Sequence, residues 1–367
     1  MAVFNNYKND LEERLLQIYN RKFCVIVNRG TVAIYLAIKA LGYENGKVIV
    51  PSILCLSPSN AIIYAGLTPL YCDVSVTDFN IDINSLEALL KVESNVRAIL
   101  LPHIYGQPTD IDRIKQLSKK YNVILIEDAA QALGGQYKNV YLGSFGDFSI
   151  LSFGHSKILD AGGIGALLFD DEKYLNSVNK SLKMLPERVN NTKLQELYSK
   201  VYYDIAKYIH IYKNIRKLYY SFPYIFKELY LNRYIDNDII KMILDNLKNL
   251  SDYVNSRNEK AEQYKILLQH EKIKHPEYKW HGVCWRYSFL VESENQELIA
   301  RKIREKGIDV SNWYPPVHLY YELEPQHLKN AEYVGNHIFN VWVDSCYNKF
   351  RIKKSVDEIL KIIDQYG

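Results

Sequence analysis

No run of eighteen apolar residues occurs in the 367-residue chain, so no segment can cross a bilayer as a helix. There is no C-x-x-C pair either. The five cysteines, Cys24, Cys55, Cys72, Cys284 and Cys346, are odd in number and far apart. That spacing argues against zinc or a redox dithiol and for reduced thiols in a cytoplasmic protein. An excess of one charge is also missing: 46 Lys and Arg stand against 42 Asp and Glu, a net +4, and nothing in that balance requires nucleic acid as a partner. The first residues, MAVFNNYKNDLEERL, are polar and do not read as a signal peptide. We expect a soluble chain with no metal site, long enough for one large domain and a smaller one. Tyrosine is abundant, 31 residues in all, and an AT-rich coding sequence accounts for that bias without a functional cause.

The most informative stretch runs from residue 122 to 170. Val123, Ile124, Leu125 and Ile126 form an apolar run, β-branched at three of four positions, which suits a parallel strand buried on both faces. Such a strand delivers Glu127 and Asp128 to its carboxyl end, where open α/β sheets bind their ligands. A carboxylate there needs a cationic partner. A protonated pyridine nitrogen is one, and holding it charged lets the ring act as an electron sink. Phe148 to Phe153 reads as the next strand, and the following GHSK turn presents Lys157, an amine able to condense with an aldehyde. Ser152 offers a hydroxyl to a phosphate oxygen. A loop lysine alone is ordinarily a solvated surface residue, but combined with Asp128 it points to pyridoxal 5'-phosphate.

Elsewhere, Leu11, Leu15, Leu16 and Tyr19 have helical spacing, and Phe23 to Val27 reads as a strand. Asn28-Arg29-Gly30-Thr31 then leads into a helix from Val32 to Leu41. A strand, a glycine turn and a helix N-terminus together make an anion site, although Gly-Thr before a helix is often only an N-cap. Residues 47–51, 69–74, 97–102 and 164–169 read as further strands, and Asp110 and Asp112 begin a helix. Gly162 and Gly163 let the chain reverse. Helical periodicity runs from Leu247 to Leu268. A strand follows Cys284, then a helix closed by Gly307 and a final helix over 355–366. From Lys193 to Tyr234, ten tyrosines and eight basic residues stand against three acidic ones. This reads as helices packing a Tyr and Ile face on the body or on a partner subunit, with weak membrane-surface association as the alternative.

EDAAQALGGQY followed by GSFGDFSILSFGHSK resembles the DegT/DnrJ/EryC1/StrS aminotransferases, the pyridoxal-phosphate sugar aminotransferases of fold type I. Asp128, Gln131, Ser152 and Lys157 fill that family's ordered pattern. His103, Tyr105, Gly106 and Asp110 match its His-x-Tyr-Gly-x-x-x-Asp element, and Tyr314 and His318 its Tyr-Pro-x-x-His segment. The match is good over residues 21–185 and loose over 247–320. It implies an α/β fold: a large, mostly parallel sheet domain over 1–251, divergent at 186–250, and a small C-terminal α+β domain over 252–367.

The resemblance also implies roles. Lys157 would hold the cofactor and move the proton, Asp128 would keep the pyridine nitrogen charged, and Gln131 would contact the phenolic oxygen. Gly30, Thr31, Val32 and Ser152 would hold the phosphate. Tyr314 and His318 are substrate-side candidates, with an interface packing role as the alternative for His318; His103 reads as structural. Two departures stand out. Cys55 occupies the place of an aromatic residue that stacks on the ring, and Asp160-Ala161-Gly162-Gly163 replaces Glu-Gly-Gly. The family works as homodimers with shared sites, and Arg188, Asn190 and Asn191 are candidates to reach a neighbour's phosphate. The implied reaction moves an amino group from L-glutamate to a keto sugar, nucleotide-linked, for surface polysaccharide or a glycosylated product. The alternatives are a small non-nucleotide ketone as acceptor, a sugar dehydratase, against which Lys157 argues, and an inactive binding or scaffold protein.

Overall fold

Short β-branched runs alternate with helices through the first half of the chain, and strands joined by helical crossovers pair in parallel. The computed structural model describes residues 6–187, 193, 227, 229–278, 281–321 and 327–367. Arg188, Asn190, Asn191 and most of the Tyr-rich stretch lie outside them. Seven strands form the main sheet: β1 (Phe23–Val27), β2 (Lys47–Pro51), β3 (Thr68–Cys72), β4 (Val96–Pro102), β5 (Ile124–Asp128), β6 (Phe148–Ser152) and β7 (Gly165–Phe169). Their order is β1-β7-β6-β5-β4-β2-β3, and β7 alone runs antiparallel to its neighbours. Helices flank this sheet, the mostly parallel α/β arrangement of fold type I. No helix among the described residues is long and apolar enough to cross a membrane.

The Gly30–Ala40 helix lies against the sheet with Val32, Ala33, Leu36 and Ala37 fully buried. Gly165 permits the close approach. A Cβ there would meet the Arg29 carbonyl carbon at 2.5 Å and the Gly30 nitrogen at 2.6 Å.

A second, antiparallel sheet is built from β8 (Ile273–Lys274), β9 (Tyr287–Val291), β10 (Val310–Ser311) and β11 (Ile338–Val341), in the order β8-β9-β11-β10. The Lys349–Tyr366 helix covers it, burying Ile352, Val356, Ile359 and Ile363 in a core of their own with Phe289 and Phe339. One helix, Leu250–Leu267, links the two cores: Leu250 packs in the first and Tyr264 in the second. The periodic segment expected from Leu247 to Leu268 is this helix, apart from Leu247, which closes the helix before it. The preceding helix, Asn237–Leu247, ends there, and the Asn249 carbonyl accepts from Asp252 N and Tyr253 N to open the next.

What aligns the strand ends is a pair of buried charges on one loop. Glu127, fully buried at the end of β5, accepts hydrogen bonds from the N–H groups of Gly143 (2.6 Å), Phe145 (2.7 Å) and Gly146 (3.0 Å) and from His103 Nε2 (2.9 Å). Arg21 grips the same loop by its carbonyls, donating to Gly146 O at 2.9 Å and Asp147 O at 3.1 Å. Between them they satisfy backbone groups that no strand or helix serves. Burial pushes the Glu127 carboxyl up, but the His103 bond and charge and the two backbone donors outweigh it, and the group sits below the usual carboxylate range.

A carboxyl lowered in the folded state adds stability above its ordinary pKa and loses that stability as pH falls through the lowered value. Glu127→Gln is expected to cost about 2–4 kcal/mol at neutral pH, because it leaves buried donors facing an amide. It should also flatten the acid limb of the stability curve. Thermal midpoints of both proteins between acid and neutral pH test this; parallel acid limbs would refute it.

Candidate active site

Successive residues of a strand face opposite ways, so β5 sends Glu127 and Asp128 to different surroundings. Glu127 goes to the loop. Asp128 faces a cavity of about 1040 Å³ at the carboxyl ends of the parallel strands. Its wall carries Gly30, Thr31, Cys55, Asp128, Gln131, Ser152, Lys157 and Tyr314, which the chain brings together from positions up to 284 residues apart.

Asp128 is buried and accepts one hydrogen bond among the described residues, from the Ala130 N–H at 2.9 Å. Burial raises its carboxyl, opposed first by the charge of Lys157 and then by the Ala130 bond. The half-buried Lys157 amine has no hydrogen bond or ion pair among the described residues. A buried carboxylate so thinly paired is costly, and a cation entering the cavity would relieve it.

Gln131 is fixed at both ends of its amide: Oε1 accepts from Tyr105 N at 3.0 Å, and Nε2 donates to the Tyr314 hydroxyl at 3.1 Å. The Tyr105 hydroxyl in turn donates to Trp313 O at 2.5 Å and accepts from Tyr314 N at 3.0 Å. Tyr314, Tyr105 and Trp285 lie nearly parallel, with centroids 5.9–6.2 Å apart. Burial keeps the Tyr314 hydroxyl protonated, well above the usual phenol range.

At the opposite wall the Gly30–Ala40 helix starts without a side-chain cap. A missing cap costs about 1 kcal/mol, whereas each buried Val, Ile or Leu of this helix contributes about 1.5–3 kcal/mol. Packing thus holds the helix while its first N–H groups stay open to an anion. Gly30 seats the turn against Ser152, whose Cβ would lie 3.3 Å from a Cβ at residue 30. Arg29 lines the cavity beside this turn, its guanidinium 5.4 Å from the centre of the Tyr230 ring and its Nε buried without a hydrogen-bond partner.

Val32 and His318 do not reach this wall. Val32 is turned into the core and its N–H is taken by Arg29 O at 3.1 Å. His318 is buried, with Nδ1 2.6 Å from Ser52 Oγ and Nε2 3.6 Å from Glu332 Oε1. Cys55 is on the wall, and burial pushes its thiol up against the pull of the Lys157 charge. His103 both lines the cavity and holds Glu127.

Reading the sequence alone missed Arg29, Arg286, Trp285, Trp313 and Trp342, all on the wall. One signal was available. The chain has four tryptophans, and three of them are here.

The residues present fit pyridoxal phosphate: an amine, a buried carboxylate wanting a cation, and an open helix start beside a serine hydroxyl and an arginine.

Comparison with known proteins agrees. The profile of the DegT/DnrJ/EryC1/StrS aminotransferase family matches residues 3–350. The chain is 28% identical over 319 residues to the GDP-perosamine synthase of Escherichia coli O157:H7, covering 85% of this chain and 78% of that one. It is 33% identical over 192 residues to a UDP-4-amino-4,6-dideoxy-N-acetyl-beta-L-altrosamine transaminase of Campylobacter jejuni, where it spans about half of each chain, 52% and 51%. The fold resembles that of Helicobacter pylori PseC, an aminotransferase, with a TM-score of 0.80 at 19% identity over 98% of this chain and 92% of that one. The chain therefore belongs to the DegT/DnrJ/EryC1/StrS aminotransferase family and is a pyridoxal-phosphate-dependent aminotransferase.

Proposed function

We propose that the enzyme transfers the amino group of L-glutamate to a keto sugar carried on a nucleotide, for a surface polysaccharide or glycoside. The observation that carries this reading is one cavity holding both the unpartnered Lys157 amine and the thinly paired Asp128 carboxylate. Pyridoxal phosphate, when bound, supplies an aldehyde that captures amines and a ring that withdraws electrons from the neighbouring C–H bond.

In this reading Lys157 Nζ would hold the cofactor's aldehyde and, as a free amine, would accept and return the substrate's proton. Asp128 would hold a proton on the ring nitrogen through its negative charge. Gln131 Nε2, oriented by Tyr314, contacts the phenolic oxygen. Gly30, Thr31, Ser152 and Arg29 take the phosphate.

Substrate size supports a nucleotide-linked acceptor. A volume of about 1040 Å³ is at the upper end of small-molecule sites and exceeds what the cofactor alone would fill. Segments flanking the strands of the second sheet present Arg286, Trp285, Trp313 and Trp342, and the Gln296–Glu305 helix presents Arg304, cations for a diphosphate and flat faces for a base. A small ketone would leave this wall unused. The relatives named above act on GDP- and UDP-linked sugars by their names. Free cysteines support a cytoplasmic location. A homodimer with shared sites completes the reading, and light scattering is expected to give twice the chain mass.

Two experiments test the chemistry. Added pyridoxal phosphate should give a visible absorbance band that L-glutamate removes, and Lys157→Ala should give none; a wild-type protein that captures no cofactor would reverse the reading. Asp128→Asn should still capture the cofactor, but the glutamate half-reaction should slow by about 100-fold or more, since the charge that stabilises the developing electron pair is gone. Single-turnover spectroscopy measures this, and a rate within a few-fold of wild type would remove Asp128 from that role.

A further inference from the structure

Lys157 follows a residue in a backbone conformation that its side chain disfavours. Ser156 has φ +58°, the left-handed region that glycine enters freely and other residues rarely do. Both peptide groups flanking it are held by side chains. The Ser156 N–H donates to Asp160 Oδ2 at 2.7 Å, and the Ser156 carbonyl accepts from Trp285 Nε1. The other Asp160 oxygen accepts from the Gly162 N–H at 3.0 Å, with His155 Nδ1 3.7 Å away. One carboxylate thus closes the turn from His155 to Gly162 around Lys157.

Trp285 comes from the far side of the cavity, just ahead of β9. It is buried, and its ring is stacked on Tyr105 at 6.2 Å and Tyr314 at 5.9 Å, so its indole N–H is held in place. The Ser156 hydroxyl is spent locally, donating to His155 O at 2.7 Å, and does not explain the conformation. Strain of this kind persists only where the surroundings over-determine it, and it gathers where a side chain must be aimed. Asp160 is about half exposed, so water competes for it; Trp285 supplies the hold that water cannot dissolve.

We propose that Asp160 and Trp285 are positioning residues: together they hold Ser156 left-handed and so aim the Lys157 amine into the cavity. The proposal rests on Lys157 as the amine that holds the cofactor. It also couples the two sheets, since the donor to Ser156 O belongs to the chain segment entering the second one.

The test is the rate at which cofactor-free, full-length protein captures pyridoxal phosphate, followed by the visible band, together with the apparent pKa of that band. Asp160→Asn keeps one acceptor and loses the other. Trp285→Phe keeps a stacking ring and loses the N–H. Each should slow capture by about 10-fold or more and shift the pKa of the band, because the amine is less well aimed. The decisive variant adds Ser156→Gly to Asp160→Asn. Glycine takes positive φ without a clamp, so capture should return to within about threefold of wild type. The pKa of the band separates aim from loop stability, because a loop that is merely loosened lowers the captured fraction without moving that pKa.

If Asp160→Asn and Trp285→Phe capture at the wild-type rate, or if the double variant is as slow as Asp160→Asn, the proposal fails. Capture that disappears in Lys157→Ala while both clamp variants behave as wild type overturns the clamp alone. A wild type without capture overturns the reading of Lys157, and the clamp with it.

Discussion

A single buried carboxylate organises the catalytic end of this enzyme. Glu127 gathers three backbone N–H groups and the His103 imidazole at a point with no access to water. The donors come from the end of β4 and from the loop before β6, so one group sets the height of three neighbouring strand ends. Arg21 completes the arrangement from outside by taking the carbonyls of the same loop. Neither charge faces the cavity, yet the positions of Asp128, Ser152 and Lys157 depend on both.

The contrast between Glu127 and Asp128 is one of strand geometry. Adjacent carboxylates on one strand meet opposite fates because their side chains leave opposite faces. The first is saturated with donors and is held below the usual range; the second has one among the described residues, and burial raises it. A buried acid satisfied this thoroughly serves the fold, and the one left in want is the group our functional reading assigns to a ligand. The aromatic stack of Tyr105, Trp285 and Tyr314 serves the same end from the other side. It fixes the amide of Gln131 and brings the second sheet against the first.

Much of this could be read along the chain. The β-branched runs located the strands of the main sheet to within two residues, since a strand buried on both faces leaves little choice of residue. The order Asp128, Gln131, Ser152, Lys157 marked the site because those residues lie within thirty positions, at the ends of two adjacent strands and in the turns that follow them. Other features were hidden. The helix break at Lys248 and Asn249 does not interrupt the hydrophobic period of Leu244, Leu247 and Leu250. His318 has the spacing of a site residue, but it turns to Ser52 and Glu332, residues that no local pattern connects with it.

The sequence by itself determined the fold class and, through a family resemblance carried by short motifs, the cofactor, because periodicity and short-range motifs encode strands, turns and the groups at their ends. Only the tertiary structure decided which neighbours those groups have. That Arg21 shares a loop with Glu127, that Trp285 reaches Ser156 across the cavity, and that three scattered tryptophans line one wall are consequences of packing over 123 to 129 residues of separation and more. Contacts of that range are set by how helices and sheets bury their faces against one another, which no local pattern records.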